Sequence, residues 1–451
     1  MQTLKREHWH SRLGIIFATS GSAIGLGTLW KLPYMIGQNG GGAFIALFLI
    51  FTLLLGFPLF VGELLLGKIN QKSVVSIFSN TKDYGDFAPI LGLVSIVATL
   101  LIAGWYGVVS GWGINYFVMS IADAFHNKSP QELSDIFLLF RSSGSLNIVW
   151  QIVFIICTCF ILAKGLNQGI EKYSKIFFSL LFILVILLFL FSSSLKGFPQ
   201  ALDYILSPKF EQLNREAILS ALGLSLFTLS LGQGIMVTYG SYLSASENIF
   251  KTALIVSVSV VLISVLISLM IFPMIFTFGF EPQVGESLLF ITLPYVTEQL
   301  PASMALASLF FILLIFAALT SYIGQLEVLV AALIDVFKLN RLKASFITGI
   351  VCFVMGIPVA LMMSEYNPYP NFQTIFNKDF LEVSDVIITW LLIIFSFGIC
   401  YILGYKVKKD IILTNLNIKS ANLLINCWYF LIRYLIPLCL IFISAVRFNL
   451  I

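Results

Sequence analysis

Two apolar segments of the sequence are interrupted by glycines, the residues least suited to a continuous membrane helix. The first interruption reads Ser22-Ala-Ile-Gly-Leu-Gly27, and the second reads Ser230-Leu-Gly-Gln-Gly234. Unwinding a helix frees backbone C=O and N–H groups that hydrocarbon cannot satisfy, so they must face an ion or a polar ligand. Carbonyl oxygens suit a hard cation, and the N-termini of half-helices suit a carboxylate. The interruptions therefore predict a site for a cation and a polar substrate.

The elements that carry these interruptions are transmembrane helices. The chain has 451 residues, of which 59% are hydrophobic and 11% charged, and its mean hydropathy is +0.98. Segments of about 20 apolar residues, long enough to cross a hydrocarbon core, recur along the chain. These continuous runs exclude a soluble protein, and they differ from the short alternating segments of a β-barrel. The fold class is therefore an all-α membrane protein.

We predict about eleven transmembrane spans. They lie near 13–36, 43–67, 89–119, 148–165, 172–194, 217–242, 251–278, 303–337, 344–363, 382–404 and 422–447. A further apolar piece near 286–300 is short and charged at both ends, so we expect a hairpin outside the membrane.

The interruptions fall in the first and sixth predicted spans. A lone glycine can serve only close helix packing, but a second break five spans later indicates an inverted repeat of spans 1–5 and 6–10. Such a pair of broken spans indicates a transporter binding site at the bilayer midplane. We therefore predict a single transporter domain over 1–451, with repeats at 1–195 and 217–404 and an extra span at 422–447.

Charge and composition limit the other functions. If the N-terminus is cytoplasmic, most of the 26 Lys and Arg residues lie in inner loops, which the positive-inside rule favours. The net charge of +4 reflects this topology, and we expect no nucleic-acid partner. The six cysteines lie in apolar spans, so no disulfide is expected. The sequence has no nucleotide-binding P-loop, no HExxH motif and no cluster of His, Asp or Glu at membrane depth, so we do not expect an enzyme.

Several short motifs carry a family resemblance. They are "REHW" at 6–9, "GSAIGLG" at 21–27, "NGGGAF" at 39–44, "FTLSLGQG" at 227–234, "FITLP" at 290–294 and "ALTS" at 318–321. With them the chain resembles the bacterial branch of the neurotransmitter:sodium symporter family over nearly its whole length. The resemblance implies the LeuT-type fold and sodium-coupled import of a neutral amino acid by alternating access, across a bacterial inner membrane.

Two alternatives on the same fold are a sodium-independent amino acid exchanger and a channel or sensor that does not transport. A channel would need a continuous polar stripe through several spans, and the sequence shows none. The exchanger and the sensor stay open as alternatives.

The resemblance implies a sodium site between the first and eighth spans, which we call site two. Its five expected oxygens are the carbonyls of Gly21, Ile24 and Ala317 and the hydroxyls of Thr320 and Ser321. All five positions match the family pattern, and none is charged. The alternative for the two hydroxyls is hydrogen bonding to their own helix.

A second family sodium site, site one, is expected to be weakened. It would use the Ala23 carbonyl, Thr28, Thr228 and the carboxylate of the substrate. The family usually has Asn where Thr28 and Val260 stand, although Ser259 is the alternative if the alignment slips by one residue. We therefore expect one tightly coupled sodium ion and at most a weak second. Chloride is not expected, because Phe48 and Leu224 replace the Tyr and Gln of the chloride-dependent members.

The resemblance also places the substrate. Its carboxylate would meet the N–H groups of Leu26 and Gly27 and the hydroxyl of Tyr106. Its ammonium would meet the carbonyls of Ala23, Phe227 and Thr228 and the side chain of Ser230. The side-chain pocket would be lined by Ile102, Phe227, Ser230, Gln233, Ser321 and Gln325. The two glutamines replace apolar residues of leucine-transporting relatives, which favours a polar or larger aromatic substrate; their alternative role is hydrogen bonding to neighbouring helices.

Two gates complete the expected site. The inner gate would pair Arg6 with Asp335, near Ser241 and Tyr242, with Trp9 as a plug. The alternative is that Arg6 and Asp335 are unpaired, solvated charges. The outer gate would pair Lys31 with Asp385, or with Glu382 if the register differs, above a thin lid of Phe227 and Tyr106. Lysine cannot form the bidentate contact of the more common arginine, so this gate should be looser.

Overall fold

The fold is known from a computed structural model, which describes residues 6–281, 286–364, 366–378, 380–418 and 422–447. Within these ranges the regular structure is helical, apart from an isolated bridge between Gly41 and Pro208. Nine of the described helices are long and apolar enough to cross a membrane, and the bent first span makes ten. The sixth span consists of two shorter halves, so the arrangement is consistent with the eleven predicted spans.

The observed spans lie close to the predicted ones. Their bounds are Arg12–Ala23 with Gly27–Gln38, Gly42–Asn70, Ala88–Ile121, Gly144–Ala163, Leu166–Ser193, Arg215–Thr228 with Ile235–Gly240, Ile249–Thr277, Ser303–Phe337, Arg341–Leu361, Phe380–Lys406 and Leu423–Val446. Short helices connect them at Val74–Phe78, Thr81–Tyr84, Pro130–Ser142, Phe198–Leu206, Phe210–Gln212, Leu288–Glu298, Phe372–Phe376 and Lys409–Asn415. The segment expected to form a hairpin is thus a short helix, followed by a turn into the eighth span.

The first span breaks where the sequence predicted it. Its N-terminal half ends at Ala23, Ile24 has φ −94° and ψ 83°, and helical structure resumes at Gly27. The two halves meet at an angle of 61°. The carbonyl and N–H groups between them are therefore released from the helical ladder, as the prediction required.

The break in the sixth span is built from left-handed backbone. Ser230, Gly232 and Gly234 have φ values of 54°, 83° and 83°. Glycine is needed at 232 for a second reason, because a Cβ there would lie 2.7 Å from the carbonyl oxygen of Leu392 in the tenth span. Ser230 adopts the same region without the freedom of glycine, so other contacts must hold it in this strained conformation.

The two broken spans lie against the long third and eighth spans. The third span packs along the eighth, ninth and tenth spans, and the first packs against the fifth, seventh and eighth. The second half of the sixth span packs against the second span. Both breaks are consequently enclosed by helices on all sides, at the centre of the bundle.

Candidate functional site

One small buried cavity lies between the two breaks. Its volume is about 20 Å³. Its lining includes every residue that the sequence predicted to contact a substrate: Ala23, Leu26, Gly27, Ile102, Tyr106, Phe227, Thr228, Ser230, Gln233, Ser321 and Gln325. Ser22, Gly25 and Thr28 complete the lining. The fold thus brings residues from four distant parts of the sequence, in the first, third, sixth and eighth spans, to one point.

The end of the cavity predicted for a carboxylate is formed by backbone and a phenol. The hydroxyl of Tyr106 accepts a hydrogen bond from the N–H of Leu26 over 3.2 Å. Gly25 permits this close approach, because a Cβ there would lie 2.6 Å from the Tyr106 hydroxyl and 2.9 Å from Oγ of Ser321. A hydroxyl and the first N–H groups of a half-helix therefore converge, which is the chemistry that a carboxylate needs.

The opposite end joins the two breaks. Oγ of Ser230 donates a hydrogen bond to the carbonyl of Ser22 over 2.9 Å, which explains how Ser230 is held in its left-handed conformation. The backbone carbonyl of Gln233 accepts hydrogen bonds from the hydroxyls of Ser95 and Thr99, at 2.8 and 3.1 Å. These contacts fix the break of the sixth span against the first and third spans.

Two glutamine side chains line this end of the cavity. Gln233 is 4% exposed and Gln325 is 3% exposed. Oε1 of each has no hydrogen-bond partner among the residues that the structure describes. A buried polar atom without a partner costs about 1–3 kcal/mol, so these amides are poised to bond to a ligand. Within the described part of the chain, the side-chain oxygens Oε1 of the two glutamines do not form the contacts to neighbouring helices that were their alternative role.

The first and eighth spans are in direct contact at the expected position of site two. A Cβ on Gly21 would lie 2.9 Å from Cβ of Thr320, so backbone and hydroxyl are neighbours. The Thr320 hydroxyl donates to the carbonyls of Phe316 and Ala317 in its own helix, at 3.0 and 3.1 Å. Hydrogen bonding to its own helix is the alternative role that we gave this hydroxyl above. A hydroxyl that donates its proton still presents lone pairs, so it does not exclude a role as a cation ligand.

The side-chain oxygens expected at site one are those of two threonines. The Thr28 hydroxyl lies 3.5 Å from the Ala23 carbonyl, and the Thr228 hydroxyl donates to the Leu224 carbonyl over 2.7 Å. On the seventh span Val260 is fully buried while Ser259 is partly exposed. The buried face of that span thus presents a methyl pair, which favours the ungapped alignment.

The inner-gate residues form one tight group. Nη1 of Arg6 contacts both carboxylate oxygens of Asp335, at 3.0 and 3.1 Å, and Nη2 donates to Oγ of Ser241 over 2.5 Å. The guanidinium lies 4.5 Å from the ring centre of Tyr242. The indole N–H of Trp9 donates to the Tyr239 carbonyl over 3.0 Å, so the tryptophan closes the same opening.

The outer-gate residues are less closely joined. Nζ of Lys31 lies 3.7 Å from Oδ2 of Asp385, and Asp385 is half exposed. Lys31 also lies 5.5 Å from the ring centre of Phe227. Of the two acids left open by the sequence, the structure places Asp385 opposite the lysine. The distance agrees with a looser contact than a bidentate arginine would make.

Phe227 separates two cavities. It lines the central cavity and also a second one of about 260 Å³, which Lys31 and Asp385 line as well. The phenyl ring is therefore a wall between the central site and the space beside the outer gate.

Comparison with known proteins gives the family. The model of the sodium:neurotransmitter symporter family matches residues 6–135 and 125–450. The chain belongs to this family. It is 34% identical over 446 residues to the sodium-dependent transporter YhdH of Bacillus subtilis, with 98% of each chain covered. It is 32% identical over 451 residues to a sodium-dependent transporter of Haemophilus influenzae, again covering 98% of each.

The fold comparison agrees. A crystal structure of MhsT in complex with L-phenylalanine superposes with a TM-score of 0.89 at 30% identity, covering 97% of this chain and 99% of MhsT. The LeuT-type architecture and the family inferred from the sequence motifs are therefore confirmed, and the chain is a sodium-dependent symporter.

Sequence reasoning missed a buried acid of this symporter beside the sixth-span break. Glu63 is fully buried in the second span, and its Oε1 accepts a hydrogen bond from the N–H of Gly232 over 2.8 Å. The signal was present, because an acid inside an apolar run, here "FVGELLLG", is itself an indication of function.

A second missed group extends the inner gate. The Tyr242 hydroxyl donates to Oε1 of Glu327 over 2.5 Å, and Nη2 of Arg341 lies 2.7 Å from Oε2 of Glu327. Nη1 of Arg341 lies 3.3 Å from Glu7. The gate is thus a network that ties the N-terminal segment to the sixth, eighth and ninth spans. Glu327 also lies in an apolar run, but its partner Arg341 could not be identified without the fold.

Proposed function

We propose that this symporter imports a neutral amino acid together with Na⁺ by alternating access, across a bacterial inner membrane and with its N-terminus in the cytoplasm. The observation that carries the proposal is the buried cavity between the two broken spans, which has donors at one end, amide oxygens at the other and a proposed gate on each side.

The lining of the cavity favours a zwitterion without side-chain charge. Of its lining residues in the described part of the chain, none is Asp, Glu, Lys, Arg or His. The α-carboxylate would lie at the N–H groups of Leu26 and Gly27 and the Tyr106 hydroxyl. The ammonium would lie near the carbonyls of Ala23, Phe227 and Thr228, beside Ser230. A charged side chain would have no counter-ion there, and burying one unpaired is costly.

Sodium coupling would rest on site two. Its oxygens come from two elements, the first-span break and the eighth span, so a bound cation would hold these elements together. Site one would depend on the substrate carboxylate for much of its charge, because Thr28 and Thr228 are its only side-chain oxygens. We therefore propose one tightly coupled sodium ion, and we do not propose a role for chloride.

The gates supply the two alternating states. In this structure the inner network is closed around Arg6, Asp335 and Trp9, and the central cavity is buried. Release toward the cytoplasm would require that network to part while Phe227 and the Lys31 to Asp385 contact seal the other side. We propose that the repeats 1–195 and 217–404 move against each other in this exchange.

A related structure supports the substrate class. MhsT was crystallised with L-phenylalanine, a neutral amino acid. The present cavity carries two glutamine side chains whose Oε1 atoms have no partner among the described residues, so its preferred substrate is proposed to be neutral and either polar or aromatic in its side chain.

The test is uptake by the full-length protein in proteoliposomes. A panel of amino acids is supplied with an inward sodium gradient, with equal sodium on both sides, or with potassium only. Accumulation only with the sodium gradient supports the symporter, whereas equal counterflow without sodium would establish the exchanger instead. Tyr106→Phe should abolish most uptake, and Tyr116→Phe, which removes a buried hydroxyl of the same span outside the cavity, should not.

A further inference from the structure

An apolar groove lies on the surface of the helix bundle, between the third and tenth spans. Its volume is about 350 Å³, and its walls include Phe87, Ile90, Ile394, Phe397 and Tyr401. Gly398 forms its floor, since a side chain there would overlap Leu91. Ile90 is 59% exposed and Ile394 is 45% exposed. A surface of this kind on a membrane span faces lipid, and its apolar walls suit an acyl chain.

Basic and aromatic residues continue the groove at one end. Phe87 packs edge-on against Tyr401, with ring centres 5.1 Å apart, and Nζ of Lys406 lies 5.8 Å from the Tyr401 ring centre. Tyr401 stacks on Tyr405. Lys406 is thus at the mouth of the groove, at the end of the tenth span that we propose to be cytoplasmic.

Arg433 of the eleventh span extends this basic end. Its guanidinium lies 4.4 Å from the ring centre of Tyr405 and 5.4 Å from that of Tyr434. Gly404 brings the two helices together, because a Cβ there would lie 3.4 Å from Cα of Arg433. The groove, the tyrosines and the two cations therefore form one continuous surface.

Neither cation has an acidic partner in the part of the chain that the structure describes. Among the described residues, no carboxylate oxygen lies within 4.0 Å of Lys406 or Arg433, although Asp86 directly precedes Phe87 in the sequence. Nε of Arg433 also has no hydrogen-bond partner. An arginine within a membrane span is costly unless its charge is balanced, and tyrosine rings do not neutralise it. An anion of the bilayer would balance this charge.

We propose that this surface is a binding site for an anionic phospholipid, with the phosphate between Lys406 and Arg433 and an acyl chain in the groove. Basic clusters at the cytoplasmic ends of spans attract anionic head groups, and tyrosines are favoured at that interface. A free phosphate would satisfy the cations but leave the apolar groove uncovered, so the whole lipid is the better occupant.

The experiment measures lipid retention by the purified full-length protein, using native mass spectrometry after addition of phosphatidylglycerol or phosphatidylcholine with the same acyl chains. We expect one phosphatidylglycerol molecule to be retained in preference to phosphatidylcholine. Lys406→Gln with Arg433→Gln should weaken that retention by roughly 30-fold, as two basic contacts predict. Equal retention of the two lipids by the wild type would overturn the proposal.

Three comparisons separate this site from general electrostatic attraction. Lys172→Gln with Lys343→Gln removes the same charge from exposed positions on the fifth and ninth spans, and it should leave retention unchanged. Ile90→Trp, which fills the groove without altering charge, should lower retention. Glycerol phosphate should not displace the lipid at equal concentration. An equal loss in the exposed-lysine variant, unchanged retention in Ile90→Trp, or full displacement by glycerol phosphate would each refute the site. Sodium-driven uptake by each variant shows that it is folded.

Discussion

The N–H of Gly232 donates a hydrogen bond to Oε1 of Glu63, over 2.8 Å, at a point where both residues are fully enclosed. Gly232 lies in the break of the sixth span, and its φ of 83° removes its N–H from any helical ladder. The Glu63 carboxyl group therefore accepts the hydrogen bond that a helix carbonyl would otherwise accept from Gly232. The second span thus carries the partner that allows the sixth span to stay unwound in a membrane.

We expect Glu63→Ala to destabilise the symporter and to reduce uptake. The substitution leaves the Gly232 N–H buried and unpaired, which costs about 1–3 kcal/mol. Glu63→Gln keeps an acceptor oxygen and should retain most of the stability. The measurement is the thermal unfolding temperature in detergent, together with uptake. Identical unfolding temperatures for the alanine and glutamine variants would show that the hydrogen bond is not needed.

Removing the two hydroxyls of site two should abolish sodium-driven uptake. Thr320→Val with Ser321→Ala takes away two of the five proposed oxygens while nearly conserving volume, so a cation there would be under-coordinated. The matched control is Thr348→Val with Ser345→Ala, which removes two buried hydroxyls of the ninth span that have no hydrogen-bond partner among the described residues. Sodium-dependent uptake that persists in the first double variant would rule out site two.

Loss of the Arg6 contacts should open the inner gate more often. Arg6 binds Asp335 and Ser241, and these charge-assisted hydrogen bonds contribute about 1–3 kcal/mol to the closed state. Arg6→Ala should therefore raise the labelling rate of a cysteine placed at Thr19, a buried position in the inner half of the first span. The background is a transporting variant without the native cysteines.

The control for the inner gate is Arg12→Ala. Arg12 pairs with Glu247 at 3.3 Å on the same side of the molecule but outside the gate group. An equal increase in labelling in Arg12→Ala, or no increase in Arg6→Ala, would contradict the proposed gate.

The two unpaired amides should set substrate preference. A leucine side chain would leave Oε1 of Gln233 and Gln325 unsatisfied, whereas a side chain with an N–H or O–H can donate to them. We expect glutamine, tyrosine or tryptophan to compete better than leucine for uptake. Gln233→Leu with Gln325→Leu should reverse the order by about tenfold or more, since each buried unpaired amide costs about 1–3 kcal/mol. Leucine competing best against the wild type would show that this reading of the pocket is wrong.

Much of the fold could be predicted because its signals are local. Hydropathy predicted both ends of the eighth span. The glycines at 232 and 234 predicted a break, and both residues have the positive φ values that glycine adopts readily. The family resemblance then placed the cavity residues. Contacts between distant segments were not accessible in the same way: Glu327 and Arg341 are neighbours only through the packing of two helices.

The outer gate shows a second limit of sequence reasoning. Glu382 and Asp385 are three residues apart on one helix, so they lie on nearby faces and both suited a partner of Lys31. Only the rotation of the tenth span about its axis decides between them, and tertiary packing sets that rotation. The structure places Asp385 within 3.7 Å of the lysine.

The last prediction concerns the number of sodium ions. The family resemblance implies that Val260 replaces an amide ligand of site one at a buried position, and the loss of a ligand to a cation should cost more than the roughly 1 kcal/mol of a neutral hydrogen bond. The wild type should therefore show one tightly coupled sodium ion per substrate, measured from the reversal potential in proteoliposomes. Val260→Asn restores an amide at the buried face and should raise the stoichiometry toward two. Ser259→Asn, on the partly exposed face, should not. Two firmly coupled ions in the wild type would refute the weakened site and would imply that another oxygen of the seventh span completes it.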